Sequence, residues 1–245
     1  LAAGHGPMEQ FQIKRIIPLE LFGWDVSFTN SSLFMVIAMA IIPLFYLVAM
    51  NRRALVPGRL QSTAELSYEY VANMVRDIVG EGGMKYFPWI FTIFMFILVL
   101  NLLGLLPYSF TVTSHIIVTF ALAAMVWLMV TVIGFVNHGP GFLKLFVPSG
   151  VPWWLLPIIV VIELISYLIR PISHSVRLFA NMMAGHAMLK VFAGFVIGLG
   201  LLGGWAPLVF LVGFTGLELV VAFLQAFIFT VLTCIYLNDA VNMHH

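Results

Sequence analysis

The stretch "SHSVRLFANMMAGH", residues 173–186, places His174, Arg177, Asn181 and His186 among residues that are otherwise almost wholly apolar. Upstream, Glu163 and Arg170 precede Arg177 at steps of seven. On a helix each such step turns about 700°, some 20° short of two turns, so these residues share one side. Asn181, four beyond Arg177, continues that stripe, and His174 falls in the same sector. His186 is nine beyond Arg177, about 180° round, and belongs to the opposite face. A second stretch, "LELVVAFLQAFIFTVLTCIYLNDA", carries Glu218 and Gln225 seven apart on one face, with Thr215 one turn earlier and Asp239 near the end. The chemistry differs by residue type. Arginine keeps its proton at any accessible pH, so Arg177 is a fixed positive charge that attracts a passing carboxylate and opposes a leak of protons. Histidine and glutamate titrate, and a close Glu218–His186 pair would titrate as one unit.

Composition identifies the solvent around these groups. The chain is 62% hydrophobic and 9% charged, with a mean hydropathy of +1.08. Soluble domains are roughly 25% charged, so this is an integral membrane protein in contact with lipid. A formal net charge of +1 gives no footprint for nucleic acid. The single cysteine, Cys234, lies in an apolar run and reads as a buried inert thiol. No metal signature and no glycine-rich nucleotide loop is present, so neither a metal nor a cofactor is expected. The chain begins at Leu1, which reads as processing or a missing start, and residues 1–30 are too polar for a secretory signal.

The expected fold is all-α: about five membrane helices plus a surface helix, the last two long and steeply tilted as a hairpin. About 20 apolar residues span a bilayer core, and 31–50, 88–107 and 115–137 meet that length. After the polar "NRRALVPGR", residues 62–80 form a helix with a Ser62–Glu65 capping box and Leu66, Tyr70 and Met74 at steps of four. It reads as a helix on the membrane surface or as a soluble loop helix. Asn101 is the one strongly polar residue within the second span, and His115 at the start of the third reads as interfacial rather than proton-carrying. Arg52, Arg53, Arg59, Arg76 and Lys85 lie in 51–87 and Lys144 in 138–150, against none in 108–114. The positive-inside rule puts those two loops in the cytoplasm and 1–30 on the periplasmic side, with Lys14 and Arg15 outvoted. The organisation is thus a segment 1–30, three spans with the surface helix in 31–150, and a hairpin in 151–245.

The last third is too long for ordinary spans. Helical pattern runs from Ile158 to about Phe192 and again from Trp205 to about Asn238, each about 50 Å at 1.5 Å per residue. A hydrocarbon core of about 30 Å with ordinary tilts of about 20° cannot absorb that excess. The glycines of "AGFVIGLGLLGG" suit a turn or a close helix contact, and Pro171 need not end its helix.

Each intramembrane charge has two readings. A salt bridge, Glu163 with Arg170 or Glu218 with His186, is one. An ion path is the other, and several ionisable groups on two inclined helices favour it, since each costs about 2.5–3.5 kcal/mol in mid-membrane. A secondary transporter would show two similar halves with broken helices. Here the charges crowd into the last third. A purely structural anchor leaves them unexplained.

At "RPISHSVRLFANMMAGH" and "LELVVAFLQAFIFTVLTCIYLNDA", and in "NLLGLLPY" at the end of the second span, the chain closely resembles subunit a of F-type ATP synthase. The resemblance implies a stationary proton-channel subunit with two offset half-channels beside a rotating ring of c subunits, b-type stalk subunits, and a catalytic F1 head that does the ATP chemistry. Arg177 matches the essential arginine that separates the half-channels. Asn181, His186, Glu218 and Gln225 match inlet-side polar positions, and Glu163 an acidic position of the outlet side; His174 joins the path by its place beside Arg177. Many bacterial members carry Glu at the position of His186 and His at that of Glu218. The exchange keeps an acid and an imidazole, and leaves open which one loads the ring. It also leaves open the size of the ring and proton against sodium coupling. The expected location is a bacterial inner membrane, ahead of a mitochondrial one.

Overall fold

The computed structural model describes residues 13–18, 20–21, 24–25, 27–51, 56–106, 109–147 and 152–242. Two arginines of the orientation count, Arg52 and Arg53, lie outside the described residues. Six α-helices follow one another: α1 (Asn30–Ala49), α2 (Arg59–Val79), α3 (Phe87–Gly104), α4 (Ile116–His138), α5 (Leu156–Gly203) and α6 (Trp205–Val241). Ahead of them are two short antiparallel ladders, β1 (Arg15–Ile17) with β4 (Phe28–Thr29) and β2 (Glu20–Leu21) with β3 (Trp24–Asp25). Apart from these small ladders the described fold is all-α.

Among the described residues, five stretches are long and apolar enough to cross a membrane: Asn30–Ala49, Glu81–Gly104, Ile116–Phe146, Leu156–Gly200 and Trp205–Val241. Leu47 on α1, Val136 on α4, Ile162 on α5 and Val212 on α6 all stand exposed. In water such faces would be an aggregation liability; in a bilayer they meet a solvent as apolar as themselves.

Local chemistry explains where the helices begin and end. Thr29 caps α1 by accepting from the Ser32 amide at 3.3 Å. The expected capping box on α2 is not used. Gly58, extended after Pro57, starts that helix at Arg59, so Ser62 is already inside it and its amide bonds to the Gly58 carbonyl. Glu65 instead accepts from Gln61 at 2.8 Å. Of the residues at steps of four, Leu66 and Tyr70 are exposed and Met74 is buried, in a covered row with Ala64, Val71, Val75 and Val79. Part of the loop 138–150 is a 3-10 helix, Gly139–Phe146.

The hairpin helices exceed expectation. α5 runs on past Phe192 through Gly194 and Gly198, where an added Cβ would meet nothing within 4 Å. These two glycines therefore make neither a turn nor a tight contact. A glycine costs a helix about 1 kcal/mol, but an unpaired peptide group in lipid costs several, so the helix continues. It breaks at Gly200, whose φ of 60° needs glycine. A Cβ at Gly204 would lie 2.6 Å from the Gly200 carbonyl oxygen, so this turn needs both.

Pro171 sits inside α5 without ending it. It lacks the N–H that would bond to the carbonyl of Tyr167 four residues back. The Trp127 indole on α4 donates to that carbonyl at 3.2 Å. Polar groups freed inside a membrane must find such partners.

The chain divides into two compact units: the described residues of Leu1–Arg52, Met95–Ile116 and Leu178–Ala226, and those of Arg53–Phe94, Ile117–Arg177 and Phe227–His245. In the first, α5 and α6 run antiparallel, with Phe192 stacked on Phe210 (ring centroids 5.9 Å apart). In the second they are also antiparallel, His174 lying on Phe229 and Arg170 facing Asp239.

Candidate functional site

In the first unit the polar groups converge on His186. Its Nδ1 lies 3.0 Å from the Met182 carbonyl oxygen one turn back on α5, and its Nε2 lies 2.9 Å from the carbonyl oxygen of Gly104 at the end of α3. Both ring nitrogens thus face carbonyl oxygens. A carboxyl group is at hand as well, since Glu218 Oε1 on α6 stands 2.5 Å from Nδ1. His186 is 6% exposed and Glu218 3%. Nδ1 is thus shared between the Met182 carbonyl and Glu218 Oε1. The second Glu218 oxygen, Oε2, has no hydrogen-bond partner among the described residues.

Glycine makes this closeness achievable. A Cβ at position 185 would lie 2.7 Å from Glu218 Oε1, so any side chain there would push the carboxylate away. Gln225, on the same face of α6 as Glu218, is buried as well. Between them the Ala222 carbonyl accepts a hydrogen bond from Nδ2 of Asn101 at 3.1 Å. Asn101 is fully buried, and its Oδ1 has no partner among the described residues. Asn181 lies on the open side of α5.

In the second unit, Arg177 is exposed on α5. Among the described residues it has no carboxylate partner. His174, one turn earlier, is buried under Phe229 with ring centroids 3.8 Å apart. Its Nε2 has no partner among the described residues. The four-membered stripe does not stay on one open face. Glu163 is half-buried, and Arg170 turns to α6, where its Nη1 donates to Asp239 Oδ2 at 3.1 Å. A side chain as long as arginine can reach round its helix to a carboxylate, and here it does.

Sequence spacing thus paired His186 with Glu218, and the structure brings those two together. It grouped His174 with Arg177, whereas the imidazole is covered and the guanidinium open. Spacing gives Asn101 no role, although an amide alone in an apolar span is a signal. Gly104 and Gly185 were missed, since a carbonyl and an absent side chain leave no chemical signature beyond a glycine in a helical run. His115 stacks on Phe110 with centroids 4.9 Å apart, and burial holds its pKa below the ordinary imidazole value.

Residues 32–238 match the family of the ATP synthase A chain. The chain is 60% identical over 240 residues to the ATP synthase subunit a of Pelagibacter ubique (strain HTCC1062), covering 98% of each. Against the subunit a of Chelativorans sp. (strain BNC1) it is 61% identical over 245 residues, again 98% of each. The subunit a of Rhodospirillum rubrum is 57% identical over 240 residues, 98% of this chain and 100% of that one. A match of this extent, on a chain with five membrane-length apolar helices, means that the chain belongs to the ATP synthase A chain family and is a subunit of an ATP synthase complex.

Proposed function

We propose that this chain is the stationary proton channel of the membrane sector, loading and unloading protons on the carboxylates of a rotating c-subunit ring through two offset half-channels. The observation that carries the reading is the buried His186–Glu218 pair. A pair kept for stability alone would have its remaining lone pairs satisfied, because removing two charges from water costs more than their attraction returns. Glu218 meets His186 through Oε1, while Oε2 has no hydrogen-bond partner among the described residues. It is an acceptor held next to a donor, as a relay requires.

The roles then follow from chemistry. Water reaching the inlet delivers protons to the Glu218–His186 unit, with Asn181 and Gln225 orienting the path toward the ring. Arg177, exposed on an apolar helix, is a permanent cation for a ring carboxylate. It favours the ionised form at the crossing between the half-channels and so drives proton release. Glu163 serves the outlet, and His174, covered beside Arg177, adjoins the path. The ATP chemistry belongs to the F1 head, and b-type subunits hold this chain against rotation. The setting is a bacterial inner membrane. The test is Arg177→Ala in the assembled complex. Proton-driven ATP synthesis should vanish while the complex keeps its subunits, since one charge and little packing volume are lost. Near-normal synthesis would overturn the gate role.

A further inference from the structure

Arg177 has a second permanent cation for a neighbour on its own helix. Arg170 lies seven residues earlier, about 10 Å along the axis. Its guanidinium is 3.1 Å from Asp239 and is flanked by the rings of Tyr167 and Tyr236, at 5.3 and 4.9 Å. The Tyr167 hydroxyl is fixed in turn by Thr131 Oγ1 at 2.6 Å. The two charged side chains are 25% and 33% exposed. Within a membrane span each charge also spares the other an unpaired exposure to lipid, so the pair can steady the helices as well as set the charge that α5 presents.

We propose that Asp239 is a specificity-determining residue: by neutralising Arg170 and turning it away from the open side of α5, it leaves Arg177 as the cation that a ring carboxylate meets there. The inference rests on the gate reading of Arg177. Both guanidinia stay charged at any accessible pH. Were Arg170 unpaired, a ring carboxylate would meet two attracting cations in succession. It would remain ionised beside the wrong one, and an ionised group leaves such a site for lipid only at high cost. The two tyrosines complete the arrangement, because their ring faces hold a guanidinium without adding a charge of their own.

The experiment uses membrane vesicles carrying the whole complex, with subunit content checked for each variant. Asp239→Asn should lower proton-driven ATP synthesis about tenfold, the factor given by a competing contact of ~1.4 kcal/mol. Asp239→Glu, which keeps the charge, should retain most of the rate. Arg170→Gln combined with Asp239→Asn should recover to within about twofold of the parent, since no second cation remains. If the double variant is as slow as Asp239→Asn alone, the pair is a structural clasp and the proposal fails. An unimpaired Asp239→Asn overturns it equally. Arg177→Ala in the same vesicles separates the two readings. Its inactivity with an unrecovered double variant sinks only the role of Asp239, whereas its near-normal activity sinks the gate itself.

Discussion

Oε1 of Glu218 on α6 stands 2.5 Å from Nδ1 of His186 on α5, and both side chains are almost wholly buried. The ring's other nitrogen is held by the Gly104 carbonyl, while Glu218 Oε2 has no partner among the described residues. That open oxygen is where a proton is expected to be passed on.

Glu218→Gln keeps the shape and removes the titrating group. Proton conduction through the assembled complex should fall at least about tenfold, in line with the loss of a positioned acid–base group. Its pH profile should change too, because one member of a coupled unit no longer titrates. Conduction driven by an imposed proton gradient, followed across pH, measures both. A complex that conducts at the parent rate and pH profile, and loses only thermal stability, would make the pair structural and the inlet path wrong.

The second prediction concerns Pro171 and the carbonyl it leaves free. Trp127→Phe keeps an aromatic ring, though a smaller one, and removes the indole donor, so the Tyr167 carbonyl is stranded in an apolar interior. The cost should be about 1–3 kcal/mol, read as a lower temperature at which this subunit leaves the purified complex. Adding Pro171→Ala to Trp127→Phe returns an N–H to the helix and should recover most of that loss. Equal stability of Trp127→Phe and the parent, or no recovery on adding Pro171→Ala, would show that the indole bond does not matter.

What the sequence made legible is what periodicity and cost encode. Spans of apolar residues must be helices because lipid offers the backbone no partner. Helical angle alone put His186 and Arg177 on opposite sides of α5, and the structure has one buried and the other exposed. Groups that act through backbone or absence were not legible. Neither the Gly104 carbonyl beneath His186 nor the space left at Gly185 can be seen without the packed neighbour. Ladders of two or three residues, such as β2 with β3, carry too little pattern to announce themselves. Arg170 misled the reading for a related reason. Its angular position suited the stripe, but which way a long flexible side chain leans is decided by Asp239, sixty-nine residues away.

The last prediction tests which side of α5 meets the ring. Ser173 is exposed like Arg177, and Ala180, Asn181 and Ala184 are exposed too, whereas Leu178 and Met182 are buried. Ala184 lies seven beyond Arg177, so it returns to nearly the same angle one step along the helix. Single cysteines at Ser173, Ala180 and Ala184 should crosslink to cysteines placed beside the carboxylate of the ring subunit. The native Cys234 does not interfere, being fully buried. Cysteines at Leu178 and Met182 should give only background, because the rest of this chain covers them. The pattern along the helix decides the matter, since crosslinks recurring at 173, 180 and 184 trace one face. Strong crosslinks from Leu178 or Met182, with none from Ala180 and Ala184, would show α5 presenting its other side to the ring. Arg177 could not then meet a ring carboxylate, and the charge gate would have to lie elsewhere.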